Sequence, residues 1–104
     1  MRIDKILLNE IINSDGIWLT VHGNSMFPAI ADGQKIFLAP NEKYAIGDIV
    51  AYIVDLDSNA LRILVHRVIF VRKTFILAKG DNNSYIDPIR ISYDRIIGIV
   101  KKIC

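Results

Sequence analysis

Hydrophobic and polar residues follow one another in short, strand-like segments over most of the chain. These segments are rich in Ile, Val, Phe and Tyr and are bounded by Gly, Pro, Asn or Asp, which is typical of β-strands. They cover residues 17–21, 35–38, 48–54, 62–71, 74–78 and 96–103. Arg72 and Lys73 predict a tight hairpin between two of them, and residues 55–60 predict a longer one. Because no helical pattern separates the segments, we expect antiparallel pairing.

In the first twelve residues, the apolar positions recur with the period of a helix and not with that of a strand. Ile3, Ile6, Leu7 and Ile11 recur at helical spacing with polar residues between them, which predicts an amphipathic helix that packs on the sheet. A turn cluster at residues 13–16 ends it. The predicted fold is therefore one mostly-β domain: a helix and turn over residues 1–15, then a rolled or barrel-like antiparallel sheet over residues 17–103.

Composition narrows the possible partners and compartments. The chain has 104 residues, enough for one modest core. Its 13 basic and 11 acidic residues are spread along the sequence, so no nucleic-acid partner is expected. Cys104, the single cysteine, predicts an unpaired thiol. No apolar run approaches the roughly 20 residues of a membrane span. We therefore expect a cytoplasmic protein, with peripheral attachment to a membrane as the alternative.

Two of the polar segments in this scaffold carry candidate chemistry. Ser25 lies in a turn between Gly23 and Pro28, and His66 interrupts an otherwise apolar strand. A serine in such a turn is more often a capping residue, and a lone buried histidine more often a core residue. A serine hydroxyl nevertheless becomes a nucleophile when a base takes its proton, and imidazole is the side chain best suited to that. His22 is expected to be loop surface or packing.

The third polar segment, residues 79–88, contains Asp81 and Asp87. Its Gly-Asp-Asn-Asn sequence is good turn chemistry, and an exposed turn is one interpretation. The oxygen spacing and closing Glu of a calcium loop are absent, so no metal or cofactor is implied. The functional interpretation is that one of the two aspartates accepts the His66 Nδ1–H, which would fix the ring and stabilise the imidazolium.

These segments together resemble the signal-peptidase-like serine proteases, which include type I signal peptidases and the protease domain of LexA-type repressors. The resemblance covers most of the chain. Its elements, in order, are residues 23–28 (Gly-Asn-Ser-Met-Phe-Pro), 47–50 (Gly-Asp-Ile-Val), 65–69 (Val-His-Arg-Val-Ile) and 79–83 (Lys-Gly-Asp-Asn-Asn) with Asp87.

The resemblance implies roles for individual residues. Histidine followed by arginine at position 66 is similar to the endoplasmic-reticulum and archaeal branch, whereas bacterial signal peptidases have lysine there. It implies Ser25 as nucleophile and His66 as base. Asp87 is implied as the orienting carboxylate and Asp81 as a support of the loop. Lys79 is a rival base that ranks second, because it lies outside the base position.

The oxyanion side of the site departs from the commoner pattern. Gly23 stands where many signal peptidases have a serine that helps to hold the oxyanion. We assign this side of the site to Gly23, the backbone N–H of Ser25, and Met26, with a second donor unassigned. Each donor of this kind is worth about 2.7–4 kcal/mol in the barrier.

The implied activity is cleavage of a leader or signal segment from a peptide or precursor-protein substrate, with a membrane or transporter protein as a further partner. Two alternatives stay open. One is a non-catalytic binding module with the same β fold. The other is a LexA-like self-cleaving regulator, which ranks last because only about 22 residues precede Gly23.

Overall fold

The mostly-β prediction is confirmed by the computed structural model of the protein, which describes residues 2–56 and 61–104. The six strands expected from the sequence are present, with bounds that move by at most two residues. Two further strands of two residues each, Arg2–Ile3 and Ile91–Ser92, were not predicted. The elements are β1 Arg2–Ile3, α1 Lys5–Asn13, β2 Ile17–Thr20, β3 Lys35–Ala39, β4 Ile49–Leu56, β5 Leu61–Val71, β6 Phe75–Lys79, β7 Ile91–Ser92, a 3-10 turn Tyr93–Arg95 and β8 Ile96–Ile103.

All of the strands join one antiparallel sheet. Its strand order is β2-β3-β8-β4-β5-β6-β7, and β1 pairs with β5 beside this path. The expected antiparallel sheet is therefore confirmed; within residues 2–56 and 61–104 its end strands β2 and β7 do not pair, so it does not close into a barrel. The predicted hairpin at Arg72 and Lys73 is present, closed by a bond from the Arg72 N–H to the Phe75 carbonyl. Residues 57–60 of the longer predicted turn lie outside the described residues.

The sheet buries apolar residues on both of its faces. One cluster includes Ile11 of α1, Met26 and Ile63, and the other includes Val50, Tyr52 and Val68. Alternation along β4 and β5 sends successive side chains to opposite clusters, as the two-residue period of a strand requires. Both faces are therefore covered around the middle of β4 and β5, where Val50, Ala51, Val65 and His66 are all buried.

The N-terminal helix is shorter than predicted. It begins at Lys5 because the Asp4 side chain caps it by accepting the Leu7 N–H at 2.7 Å. Residues 2 and 3 form β1 instead. The helix packs through Leu7, Leu8 and Ile11, whereas Ile6 is 73% exposed, so the predicted buried face was wrong at Ile6.

Register between β4 and β5 positions the polar residues. Val50 lies opposite His66 and Tyr52 opposite Leu64, so these four side chains point to the same face. The loop of residues 80–90 between β6 and β7 starts next to His66 along the strand, because Lys79, the last residue of β6, lies opposite Arg67 on β5. The chain thereby brings its acidic loop to the strand that carries His66.

Candidate active site

Ser25 lies on a turn that leaves the sheet after β2. The chain pairs with the neighbouring segment as far as Val21, whose carbonyl accepts the Gly33 N–H at 2.8 Å. Gly23 then has φ +98°, a left-handed conformation that favours glycine. Its N–H donates to Asp32 Oδ1 at 2.7 Å, which fixes the turn. Ser25 is thus held half-buried at the edge of the sheet.

His66 lies in the middle of β5 and is 3% exposed. Its Nε2 is 3.1 Å from Ser25 Oγ, and its Nδ1 is 2.6 Å from Asp87 Oδ2. Three side chains from distant parts of the sequence therefore form one hydrogen-bonded line. Of the four residues predicted to be catalytic, Ser25, His66 and Asp87 form this line, and Asp81 lies outside it.

The carboxylate fixes the tautomer of the ring. An ionised carboxylate only accepts hydrogen bonds, so Nδ1 carries the proton in the contact with Asp87. In the neutral ring Nε2 is then the acceptor, and it faces the Ser25 hydroxyl. An imidazole in this state can take a proton from the hydroxyl while the carboxylate stabilises the resulting positive charge.

Tyr52 also contacts the buried carboxylate, and the sequence interpretation did not include it. Its hydroxyl donates to Asp87 Oδ2 at 2.5 Å. Asp87 is 7% exposed and Tyr52 fully buried, so the two donors supply hydrogen bonds that a buried charge needs. Burial raises the pKa of Tyr52 far above its ordinary value, and the bond to Asp87 adds to this, so the phenol stays protonated and donates.

Asp81 is held by a different partner. The Arg67 guanidinium donates from Nε to Asp81 Oδ1 and from Nη2 to Oδ2, each at 2.8 Å, while its Nη1 donates to the Gly47 carbonyl at 2.8 Å. The hydrogen bond from Arg67 lowers the pKa of Asp81, against a smaller opposing effect of burial. Arg67 thereby ties the acidic loop to β5 and to the turn before β4.

The acidic loop also holds the serine turn directly. The Asn82 backbone N–H donates to the Ser25 carbonyl at 2.8 Å, and the Asn82 side chain donates to the Asn24 carbonyl at 3.0 Å. Gly80 permits this close approach, because a Cβ there would lie 2.7 Å from the Ser25 carbonyl oxygen. The turn and the loop are thus one hydrogen-bonded unit.

The other residues singled out from the sequence lie around this line. The Met26 side chain is 1% exposed, and its Sδ accepts the Asp81 N–H at 3.4 Å, so it supports the acidic loop from the core. The Gly23 N–H is already engaged by Asp32. Lys79 donates to the Gly80 carbonyl at 3.2 Å, and His22 is exposed. In the part of the chain that the structure describes, none of these four makes a hydrogen bond to the His66 ring.

Two comparisons relate the chain to known proteins. A family model described as Peptidase S24-like matches residues 2–103. The signal peptidase complex catalytic subunit SEC11 of Debaryomyces hansenii is 36% identical over 86 residues, which is 77% of this chain and 50% of that protein. The chain therefore spans about half the length of this curated relative. No solved structure gives a significant match.

The relative is named as a subunit of a signal peptidase complex. A helix that crosses a membrane must be long and apolar, and none of the described helices of the present chain meets that requirement. The match to the family model covers nearly every residue, including Ser25, His66 and Asp87. This chain belongs to the Peptidase S24-like family.

Proposed function

We propose that the chain is a serine endopeptidase of signal-peptidase type that removes a leader or signal segment from a precursor peptide. The observation that carries the proposal is the line Ser25–His66–Asp87, with contacts of 3.1 and 2.6 Å. The likeness to a signal peptidase catalytic subunit supports the same class of substrate. The proposed location remains the cytoplasm or the cytoplasmic surface of a membrane, with a membrane or transporter protein as partner.

The reaction proceeds through an acyl-enzyme. His66 Nε2 takes the Ser25 proton as Oγ attacks the scissile carbonyl carbon, and the tetrahedral intermediate then collapses as the protonated ring gives its proton to the leaving amine. Water, deprotonated by the same ring, hydrolyses the ester and releases Ser25. Asp87 stays ionised throughout and stabilises the imidazolium in both steps.

The surroundings of Ser25 suit an extended stretch of peptide. Strand β2 lies at one end of the strand order and has a single strand partner in the described sheet, so its outer edge can pair with a substrate main chain. Phe27 is 50% exposed and lines a cavity of about 310 Å³ with Asn24 and Asn82. Asn24 and Phe27 flank the reacting Ser25 in the sequence, so a peptide bound at this cavity would lie beside the turn that carries the hydroxyl.

Cleavage of a peptide library, read by mass spectrometry, tests the proposal. The wild-type chain is expected to produce defined cuts, with small residues just before the scissile bond as the resemblance implies. Ser25→Ala should abolish these cuts because no nucleophile remains, and its thermal unfolding should match the wild type. Ser14→Ala is the matched control, since Ser14 bonds the Gly16 N–H away from the line.

Two results would contradict the proposal. Equal cleavage by Ser25→Ala would show that another nucleophile acts. A wild-type chain that binds peptides from the library and leaves them intact would instead favour the binding-module alternative.

A further inference from the structure

The Asp87 carboxylate receives two buried donors on one oxygen atom. The His66 Nδ1 lies 2.6 Å and the Tyr52 hydroxyl 2.5 Å from the same Oδ2. The phenol is fully buried, so water has no access to compete for this bond. The hydrogen-bonded line therefore runs through four side chains, in the order Ser25, His66, Asp87, Tyr52.

The sheet sets the position of this fourth side chain. Tyr52 follows Val50 by two residues on β4, and Val50 lies opposite His66 on β5. Tyr52 is therefore the diagonal neighbour of His66 on the same face, at a separation that a long aromatic side chain can span. Both residues are in central strands, whereas Asp87 is on a loop. The paired strands β4 and β5 thus present two hydrogen-bond donors to the carboxylate of Asp87, a residue whose backbone lies in a loop.

We propose that Tyr52 is a positioning residue of the peptidase reaction: its hydroxyl fixes the Asp87 carboxylate and shares its charge, so that the carboxylate orients His66 without holding the imidazolium too tightly. This inference rests on the proposed function. With one donor, the carboxylate can rotate about its Cβ–Cγ bond, and a rotation misaligns the imidazole. With two donors on one oxygen, that rotation breaks both hydrogen bonds.

A purely structural role makes a different prediction. Buried tyrosines usually find some acceptor for the hydroxyl, and loss of that bond then affects folding stability alone. A positioning role affects the chemical step. When the competing donor is removed, Asp87 becomes a stronger acceptor for the imidazolium, so the ring keeps its proton to higher pH.

Tyr52→Phe tests the inference because it removes one oxygen atom and keeps the ring. We expect kcat to fall about tenfold, equivalent to about 1.4 kcal/mol, with KM changed less than twofold. The acid limb of the kcat/KM profile should move to higher pH. Tyr44→Phe is the matched control, since its hydroxyl donates to the Asn41 carbonyl, and it should leave both quantities unchanged.

Other charged groups near the ring are the same in every variant. Asp81 interacts electrostatically with Arg67, Lys79 and His66. None of them is altered by Tyr52→Phe or Tyr44→Phe, so a movement of the acid limb in the first variant alone is due to the hydroxyl on Asp87.

Wild-type rates and an unmoved acid limb in Tyr52→Phe would overturn the inference, as would a loss of stability with no change in kcat. If Tyr52→Phe does not fold, 3-fluorotyrosine at position 52 replaces it. This ring has a more acidic hydroxyl and donates more strongly, so the acid limb should move down. An unmoved limb there would also overturn the inference.

Proton NMR separates failure of this inference from failure of the proposed function. The His66 Nδ1 proton bonded to Asp87 should give a low-field resonance whether or not the chain cleaves peptides. Loss of the Tyr52 hydroxyl should move it further downfield, because the remaining bond strengthens. An unmoved resonance would overturn the role of Tyr52 even in an active peptidase. A moved resonance in a chain without peptidase activity would contradict only the proposed function.

Discussion

Replacing Asp87 with asparagine removes the charge at the buried end of the line and keeps its shape. The amide oxygen can still accept from His66 Nδ1 and from the Tyr52 hydroxyl, which meet one carboxylate oxygen in the native protein. Tyr52 favours the amide oxygen over the amide nitrogen at this place, because its hydroxyl is a donor. The ring therefore keeps its orientation, and the main loss is the electrostatic stabilisation of the imidazolium.

The size of that loss follows from the buried contact. Opposite unit charges about 4 Å apart attract by about 4 kcal/mol at an effective dielectric constant of about 20. Asp87 is 7% exposed and His66 3%, so solvent screens the pair weakly. A loss of about 4 kcal/mol in the transition state corresponds to about a thousandfold fall in kcat. We expect Asp87→Asn to show this fall with KM little changed.

Asp81→Asn is the matched control, the same substitution on the same loop. Asp81 bonds to Arg67, and its loss should lower kcat less than tenfold through the loop. The assay is steady-state cleavage of a fluorogenic peptide, with thermal unfolding of both variants to show that they are folded. An Asp87→Asn enzyme within tenfold of the wild type would refute the reasoning. So would an Asp81→Asn enzyme as slow as Asp87→Asn.

Further predictions concern the unit formed by the loop and the serine turn. Gly80→Ala should lower the free energy of unfolding by about 1–3 kcal/mol, because its Cβ would lie 2.7 Å from the Ser25 carbonyl oxygen. Urea denaturation measures this, and wild-type stability would contradict the close approach. The Asp81–Arg67 pair lowers the pKa of Asp81 below the ordinary 3.8. The pair therefore stabilises the fold above that pH and ceases to do so as the pH falls through the lower folded value. The difference in unfolding free energy between wild type and Asp81→Asn should be constant near neutral pH and shrink below pH 3.8, and an unchanged difference there would contradict it.

Strand positions followed closely from local patterning, because β-branched and aromatic residues fill a pleated sheet whichever strand they pair with. Helix α1 shows the limit of this reasoning. The spacing of Ile6 allowed it on the buried face, but the helix begins only after the Asp4 cap and packs through Leu7, Leu8 and Ile11. Local patterning also could not predict whether the sheet closes, because closure depends on whether the first and last strands of the sheet pair with each other.

The candidate site was predictable where chemistry and motif order coincide, as at Ser25 and His66. Tyr52 carries no such signal, because a tyrosine within an apolar strand is ordinary core composition. Its contact with Asp87 depends on the β4–β5 register, which shifts between Ile53 and Asp55. Neither the shift nor the placement of the acidic loop above the strand can be derived from residue types alone.

The central claim is that His66 and Asp87 activate the hydroxyl of Ser25. Treatment with a serine-directed phosphonate, followed by peptide mass spectrometry, tests it most directly. We predict one adduct, on Ser25 in the wild type, with labelling lost in Ser25→Ala and slowed at least a hundredfold in His66→Ala. Labelling of Ser25 at the same rate in His66→Ala, or an adduct on a different serine, would contradict the account.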